Sequence, residues 1–200
     1  TVESGKDINI TKEGVYVISG TATNSTIYVE ADDEAKIQIV LDGVNITNTN
    51  FPCIYVKSGD KVFITTSDDS TLAVTDTFIK DGSTKTDGVI FSRSDITLNG
   101  TATLTINSTD NGVVSKDDLK VTGGTYNITA TSKGLQANDS IRIADGTLVI
   151  KAGTDGLHAE YDEDDSVGYV YISGGNITIN AGDDGIHAEA TLTISGGEGE

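Results

Sequence analysis

IRIADGTLVIKAGTDGLHAE (Ile141–Glu160) and VYISGGNITINAGDDGIHAE (Val170–Glu189) are two copies of one pattern. Each contains three short segments in which apolar residues alternate with polar ones, separated by a Gly turn and then a polar turn. Alternation with period two places side chains on opposite faces of a strand. It puts Ile141, Ile143, Leu148, Ile150, Ala152, Leu157 and Ala159 on one face. One repeat later the same face carries Val170, Ile172, Ile177, Ile179, Ala181, Ile186 and Ala188. All seven positions agree in the two copies.

The pattern extends backwards from this pair. Ile96–Asp118, Leu119–Ser140, Ile141–Tyr169 and Val170–Thr191 align on Gly112, Gly134, Gly156 and Gly185, whose spacings are 22, 22 and 29. The longer last step is an insertion within Tyr161–Tyr169. A unit of three short strands cannot bury its apolar side alone, so the units must stack. The predicted fold is all-β: a right-handed parallel β-helix, or solenoid, of about 22 residues per coil, its hand taken from the general preference of β-crossovers. A β-sandwich or barrel would also give short strands but does not require 22-residue units in register. An RTX roll needs nine-residue Gly-Gly-x-Gly-x-Asp repeats, which are absent.

One domain is expected over residues 1–200. Residues 1–36 would form an N-terminal cap and first strands, and 37–200 the coils, with the C-terminus truncated within a coil that begins at Leu192. Ile37–Thr47 repeats the strand, Asp-Gly, strand pattern, and Lys61–Asp95 reads as a coil lengthened by Asp76–Thr86.

Composition agrees with this reading and narrows the partners. The chain has 22 Ile and 16 Val against 9 Leu and no Met, a β bias. With 31 acids and 13 bases, the formal charge of −18 excludes nucleic acid and anionic membranes as partners. No apolar run reaches the roughly 18 residues that span a bilayer, so direct membrane insertion by this segment is not expected. Cys53 stands alone, which excludes an internal disulfide and a Cys-based zinc site. It reads as a small strand or turn residue. An acidic, Thr- and Asn-rich, cysteine-poor chain that starts at Thr1 is expected to be secreted or anchored at the bacterial cell surface, its leader removed. Asn-x-Ser/Thr sequences such as Asn127–Thr129 read as by-products of the composition.

Stacked repeats turn outward residues into columns about 4.8 Å apart. Before the anchor glycines stand Asp87, Asn111, Lys133, Asp155 and Asp184. Two residues after them stand Val114, Gln136, His158 and His187, and four after them Lys116, Asn138, Glu160 and Glu189. Asp155 over Asp184 and Glu160 over Glu189 would each repel by about 0.8 kcal/mol in water and about 3 kcal/mol at an effective dielectric of 20. A bound cation reverses that sign. Oxygen-only ligands select Ca²⁺, and the candidate ligands are Asp155, Glu160, Asp162, Asp164, Asp183, Asp184 and Glu189. His158, His187, Tyr161, Tyr169 and Tyr171 are candidate carbohydrate contacts, the imidazoles as hydrogen-bond partners and the rings as stacking faces. The simpler reading of the acids is a solvated turn surface, and of Lys133 a salt-bridge neighbour of Asp155.

The two Asp-Gly-[Leu/Ile]-His-Ala-Glu motifs, the Ile-Ser-Gly-Gly-x-Ile-Thr-Ile turn at Ile172–Ile179 and the 22-residue unit resemble a family of secreted clostridial β-helix proteins. These are carbohydrate-binding domains similar to family 9 pectate lyases. The resemblance implies a right-handed β-helix, bound Ca²⁺ and binding of plant cell-wall polysaccharides such as cellulose and pectin (polygalacturonate). It also implies a lyase alternative, in which Asp155 and Asp184 hold the metal and Lys133 or Lys116 removes the proton α to the uronate carboxylate. Arg93 and Arg142 lie outside the columns as aligned by sequence. Three readings stay open: a non-catalytic calcium-dependent carbohydrate-binding protein, which leads; a pectate lyase; and a structural or adhesin repeat. Sequence leaves the oligomeric state unknown.

Overall fold

A computed structural model describes residues 1–161 and 166–200. Among these the strands are β1 (Ile8–Ile10), β2 (Gly14–Thr23), β3 (Ile27–Glu30), β4 (Lys36–Asn48), β5 (Ile54–Ser58), β6 (Lys61–Asp68), β7 (Ser70–Val74), β8 (Gly88–Ser92), β9 (Asp95–Gly100) and β10 (Thr103–Ser108). They continue with β11 (Asn111–Ser115), β12 (Asp118–Ala130), β13 (Leu135–Ala137), β14 (Ser140–Ala152), β15 (Leu157–Ala159), β16 (Tyr169–Ile172), β17 (Asn176–Ala181), β18 (Ile186–Ala188), β19 (Leu192–Ile194) and β20 (Glu198–Gly199). Every pairing between these strands is parallel.

Two sheets result. One has eight strands in the order β1-β3-β5-β8-β11-β13-β15-β18, and the other has twelve. Within the twelve-stranded sheet, β4, β6, β9, β12, β10 and β7 pair in sequence and β7 pairs back to β4. Six parallel strands thus close a barrel in their pairing pattern.

This corrects the expected right-handed β-helix of uniform 22-residue coils. Paired residues in the eight-stranded sheet, from Ile8 through Ile27, Ile54, Ile90, Val113, Leu135 and Leu157 to Ile186, are separated by 19, 27, 36, 23, 22, 22 and 29 positions. The physical reason lies in the glycines read as turns. Asp42-Gly43, Gly123-Gly124 and Asp145-Gly146 fall inside the continuous 13-residue strands β4, β12 and β14. A strand bent in its middle can pair with two neighbours at once, as β4 does with β6 and β7, and this closes the ring. Gly146 shows why glycine is needed there: its φ is +113°, and an added Cβ would stand 3.1 Å from the Gly124 carbonyl oxygen.

The inward positions read from the alternation form one core. Ile141, Ile143, Leu148, Ile150, Leu157 and Ala159 are at most 1% exposed. Each large aliphatic residue so buried contributes about 1.5–3 kcal/mol. Val170, Ile172 and Ile177 are buried too, whereas Ile179, Ile186 and Ala188 are only partly so. Residues 1–36 carry β1, β2 and β3, which begin both sheets by pairing β1 with β3 and β2 with β4. Cys53 is fully buried, its thiol directed at the Ala73 carbonyl 3.4 Å away, and burial pushes the thiol up to about 12.

The anchor glycines serve close stacking, not turning. A Cβ on Gly134 would lie 2.4 Å from Ile150 Cγ2 and 2.6 Å from the Gly156 carbonyl oxygen, while one on Gly185 would meet nothing within 4 Å. Gly134→Ala is therefore expected to cost about 1–3 kcal/mol through overpacking, and Gly185→Ala less than about 0.5 kcal/mol. Denaturant unfolding of the two variants checks this, and equal effects would contradict it.

Candidate functional site

Parallel register in the eight-stranded sheet aligns one outward column from end to end: Asn9, Tyr28, Tyr55, Phe91, Val114, Gln136, His158 and His187. Its first half is aromatic. Tyr28, Tyr55, Phe91 and Phe51 pack with ring centroids 5.6–6.1 Å apart, and Tyr55, Phe91 and Val114 are buried. The Asp76–Thr86 segment contributes to this cover: the Tyr55 hydroxyl donates to Asp81 Oδ2 at 3.1 Å. Burial and Asp81 together push that phenol up to about 12.

One residue beyond the paired Val56, Ser92, Ser115, Ala137, Ala159 and Ala188 stands a second column: Lys57, Arg93, Lys116, Asn138, Glu160 and Glu189. It runs from basic through neutral to acidic. The ammonium of Lys57 sits 5.3 Å from the Tyr28 ring centre and that of Lys116 5.8 Å from Phe91, so the basic end lies against the aromatic one. Arg93, outside the columns by sequence spacing, is thus in register with Lys116. Asp87 moves the other way: Gly88 pairs with Asn111, so Asp87 stands one place out of the column expected for it, and it is buried beside Lys85 at 2.9 Å.

At the polar end, β15 and β18 place His158 over His187 as stacked rings, 4.6 Å between centroids and 14° between planes. His158 is buried, with Nδ1 2.7 Å from Asp155 Oδ2 and Nε2 2.7 Å from Glu160 Oε2. Asp155 is itself fixed, its Oδ1 accepting the Asp184 backbone N–H at 3.1 Å. The same arrangement recurs more loosely one layer on, with His187 Nδ1 3.6 Å from Asp184 and Nε2 3.9 Å from Glu189. His187 Nε2 is buried without a hydrogen-bond partner among the described residues.

Beside His158 lies a groove of about 280 Å³ lined by Lys116, Lys133, Gln136, Asn138, His158, Glu160 and Tyr161. Amide, ammonium, imidazole, carboxylate and phenol groups here line one open space, the donor and acceptor mixture that polyhydroxylated ligands require.

The structure brings together Asp155, His158, Glu160, Asp184, His187 and Glu189, with Tyr161 at the groove. Asp183 is exposed at the same edge. Asp162 and Asp164 lie outside the described residues. Tyr169 and Tyr171 belong to β16 in the other sheet, Tyr169 beside Arg142 at 5.9 Å and Tyr171 with its hydroxyl 3.2 Å from Ser195 Oγ. They are not part of the groove. Lys133 lines the groove, while Asp155, its expected ion-pair partner, directs its oxygens to His158 and the Asp184 N–H. The oxygen-only cage expected for Ca²⁺ does not fit Asp155 and Glu160 either, since both carboxylates face imidazole nitrogens. Gln136 and Asn138 are the groove residues that sequence reasoning left out, although both occupy the His158 and Glu160 columns.

Where the groove column turns toward the twelve-stranded sheet, Asp117 is half-buried. Burial, then Asp95, Asp139 and Asp118, push its carboxyl from 3.8 up to about 6. The folded chain therefore keeps a proton that the unfolded chain loses between about pH 4 and pH 6. Stability from this group falls as pH rises through that window and stays lower above it. Asp117→Asn is expected to raise the melting temperature at pH 7, with the gain shrinking toward pH 4. Thermal scans at the two pH values test this, and a gain that is larger at pH 4 would contradict it.

Comparison with known proteins places these features in a family. Residues 4–200 match the carbohydrate-binding domain-containing protein family. A protein of that description from Acetivibrio thermocellus is 41% identical over 126 residues, 60% of this chain and 44% of the relative, so the match spans less than half of the relative's length. A solved structure, that of the polysaccharide lyase-like protein from C. thermocellum as a gadolinium derivative, superposes with a TM-score of 0.85 at 35% identity. The match covers 96% of this chain and 90% of that one.

Proposed function

Because the chain belongs to the family of carbohydrate-binding domain-containing proteins, we propose that its outward column face binds plant cell-wall polysaccharide without cleaving it, outside the cell or at its surface. The observation that carries this reading is the groove lined by Lys116, Lys133, Gln136, Asn138, His158, Glu160 and Tyr161. Lys116, Asn138 and Glu160 come from three successive layers, and Gln136 and His158 from two of them, so the polar groups repeat at the strand spacing of about 4.8 Å.

Charge favours a uronate-containing chain such as polygalacturonate over neutral cellulose. On a surface of net charge −18, the groove lining itself carries two cations, Lys116 and Lys133, against the one acid Glu160. Substrate carboxylates would pair with the two cations, while the hydroxyls reach Gln136, Asn138 and Glu160. Tyr161 offers a ring edge or face to pyranose C–H groups. Ca²⁺ remains a candidate bridge at the exposed carboxylates Asp183, Asp184 and Glu189, and the binding step above does not depend on it.

A pectate lyase is the second reading, favoured by Lys133 and Lys116 facing the same groove and by the structural likeness to a polysaccharide lyase-like protein. Retention on insoluble polygalacturonate and on cellulose, with Ca²⁺ and with chelator, tests both readings. The expected result is retention without unsaturated product, stronger on polygalacturonate. Lys116→Ala/Lys133→Ala is expected to weaken retention on polygalacturonate about tenfold or more, the scale of losing two charge-assisted contacts, and to leave cellulose less affected. No retention on either glycan would sink the binding reading, and ultraviolet-absorbing product lost in Lys133→Ala would replace it with the lyase.

A further inference from the structure

We propose that His158, Glu160 and His187 form a binding site for a borderline divalent transition ion of the Zn²⁺ class, distinct in chemistry from a Ca²⁺ site. The nitrogen and oxygen donor atoms of these three side chains lie within 4.8 Å of one another. Two imidazoles and one carboxylate are the donor set that such ions prefer, whereas Ca²⁺ takes oxygens alone.

The supporting shell is already present. Metal-binding histidines direct their second ring nitrogen at a carboxylate, which sets the tautomer and leaves the other nitrogen free for the ion. Asp155 stands 2.7 Å from His158 Nδ1 and is held by the Asp184 backbone N–H. Asp184 repeats the relation to His187 Nδ1 at 3.6 Å. Both rings therefore turn Nε2 to the same side, toward Glu160 and Glu189. His187 Nε2 is buried and has no hydrogen-bond partner among the described residues, which is unfavourable for an imidazole nitrogen unless another group occupies that position.

The rest of the geometry requires a small adjustment. Zinc bonds nitrogen at about 2.0–2.1 Å, so two donors of one ion stand at most about 4 Å apart. A closure of about 1 Å, together with a tilt of the His187 ring out of its near-parallel stack on His158, where the planes now differ by 14°, brings the three lone pairs onto one point. His187 supplies it most readily, since its side chain is 34% exposed while that of His158 is 8% exposed. The fourth position opens toward the groove, where water or a ligand oxygen completes the coordination. The competing arrangement is an imidazolium at His158 held between Asp155 and Glu160 with no ion.

Titration of the full chain, stripped with chelator and kept in millimolar Ca²⁺, with Co²⁺ and Zn²⁺ separates these arrangements and requires no glycan. The expected result is one Zn²⁺ per chain by calorimetry and visible Co²⁺ absorption of four- or five-coordinate intensity, displaced by Zn²⁺ and not by Ca²⁺. His187→Ala, at a half-exposed site, is expected to keep the far-ultraviolet circular dichroism and to bind at least about tenfold more weakly. His158→Ala/His187→Ala is expected to lose the Co²⁺ spectrum, and Asp183→Asn to keep it. Absence of Zn²⁺ binding by the unmodified chain, displacement by Ca²⁺, or undiminished binding in His187→Ala would overturn the site. Glycan retention is read separately, so either proposal can fail without the other.

Discussion

Parallel stacking in register is the constraint on which the rest of the molecule depends. Each strand of the eight-stranded sheet sits about 4.8 Å from the next, and register places like position over like position from Ile8 to Ile186. Inward, this makes one continuous core from aliphatic residues that a single layer could not bury. Outward, it forces chemistry into columns, so whatever a position carries is repeated or answered at one strand spacing. Glycine at positions 112, 134 and 156 follows from the same demand. Here the backbone of one layer occupies the space where the Cβ of the next would be.

The columns give different solutions to the cost of repetition. Apolar and aromatic residues tolerate being stacked, and Tyr28, Tyr55 and Phe91 do so in tilted or edge-on contacts. Charges do not, and the second column changes sign along its length, from Lys57 to Glu189. Where acids do recur, an imidazole is interposed between Asp155 and Glu160, and another between Asp184 and Glu189. Between layers, Asp155 is tied to Asp184 through the Asp184 backbone N–H, which donates to Asp155 Oδ1 at 3.1 Å.

Much of this was legible in the second half of the chain. There the spacing is 22, 22 and 29, and period-two alternation identified the inward face and the His and Glu columns. The uniform coil was not legible, because an Asp-Gly pair has the same signature whether it ends a strand or bends one. In β4 and β14 an Asp-Gly pair bends the strand, in β12 Gly123-Gly124 does the same, and the twelve-stranded sheet closes on itself. The aromatic half of the His158 column was hidden for a different reason. Spacings of 27 and 36 around Tyr55 leave no period to detect, and the aligning information lies in backbone pairing. Tyr169 and Tyr171 show the converse error: closeness in sequence to the His motifs placed them at the site, but the chain crosses to the other sheet before reaching them.

Net charge was likewise informative only after placement. A value of −18 leads one to expect no polyanionic nucleic acid as a partner for the surface as a whole, yet a polyuronate is a polyanion too. The difference lies in the columns. Lys57, Arg93 and Lys116 are consecutive in register although 36 and 23 residues apart in sequence, and Lys133 adds a fourth cation at the groove. Screening at physiological salt limits the reach of charges to about 8 Å. A ligand lying in the groove therefore meets Lys116 and Lys133 directly, with Glu160 as the acid of the lining, and charges farther off are screened. For the proposed uronate ligand, the charges that count are those of the lining, Lys116, Lys133 and Glu160, not the total of the whole chain.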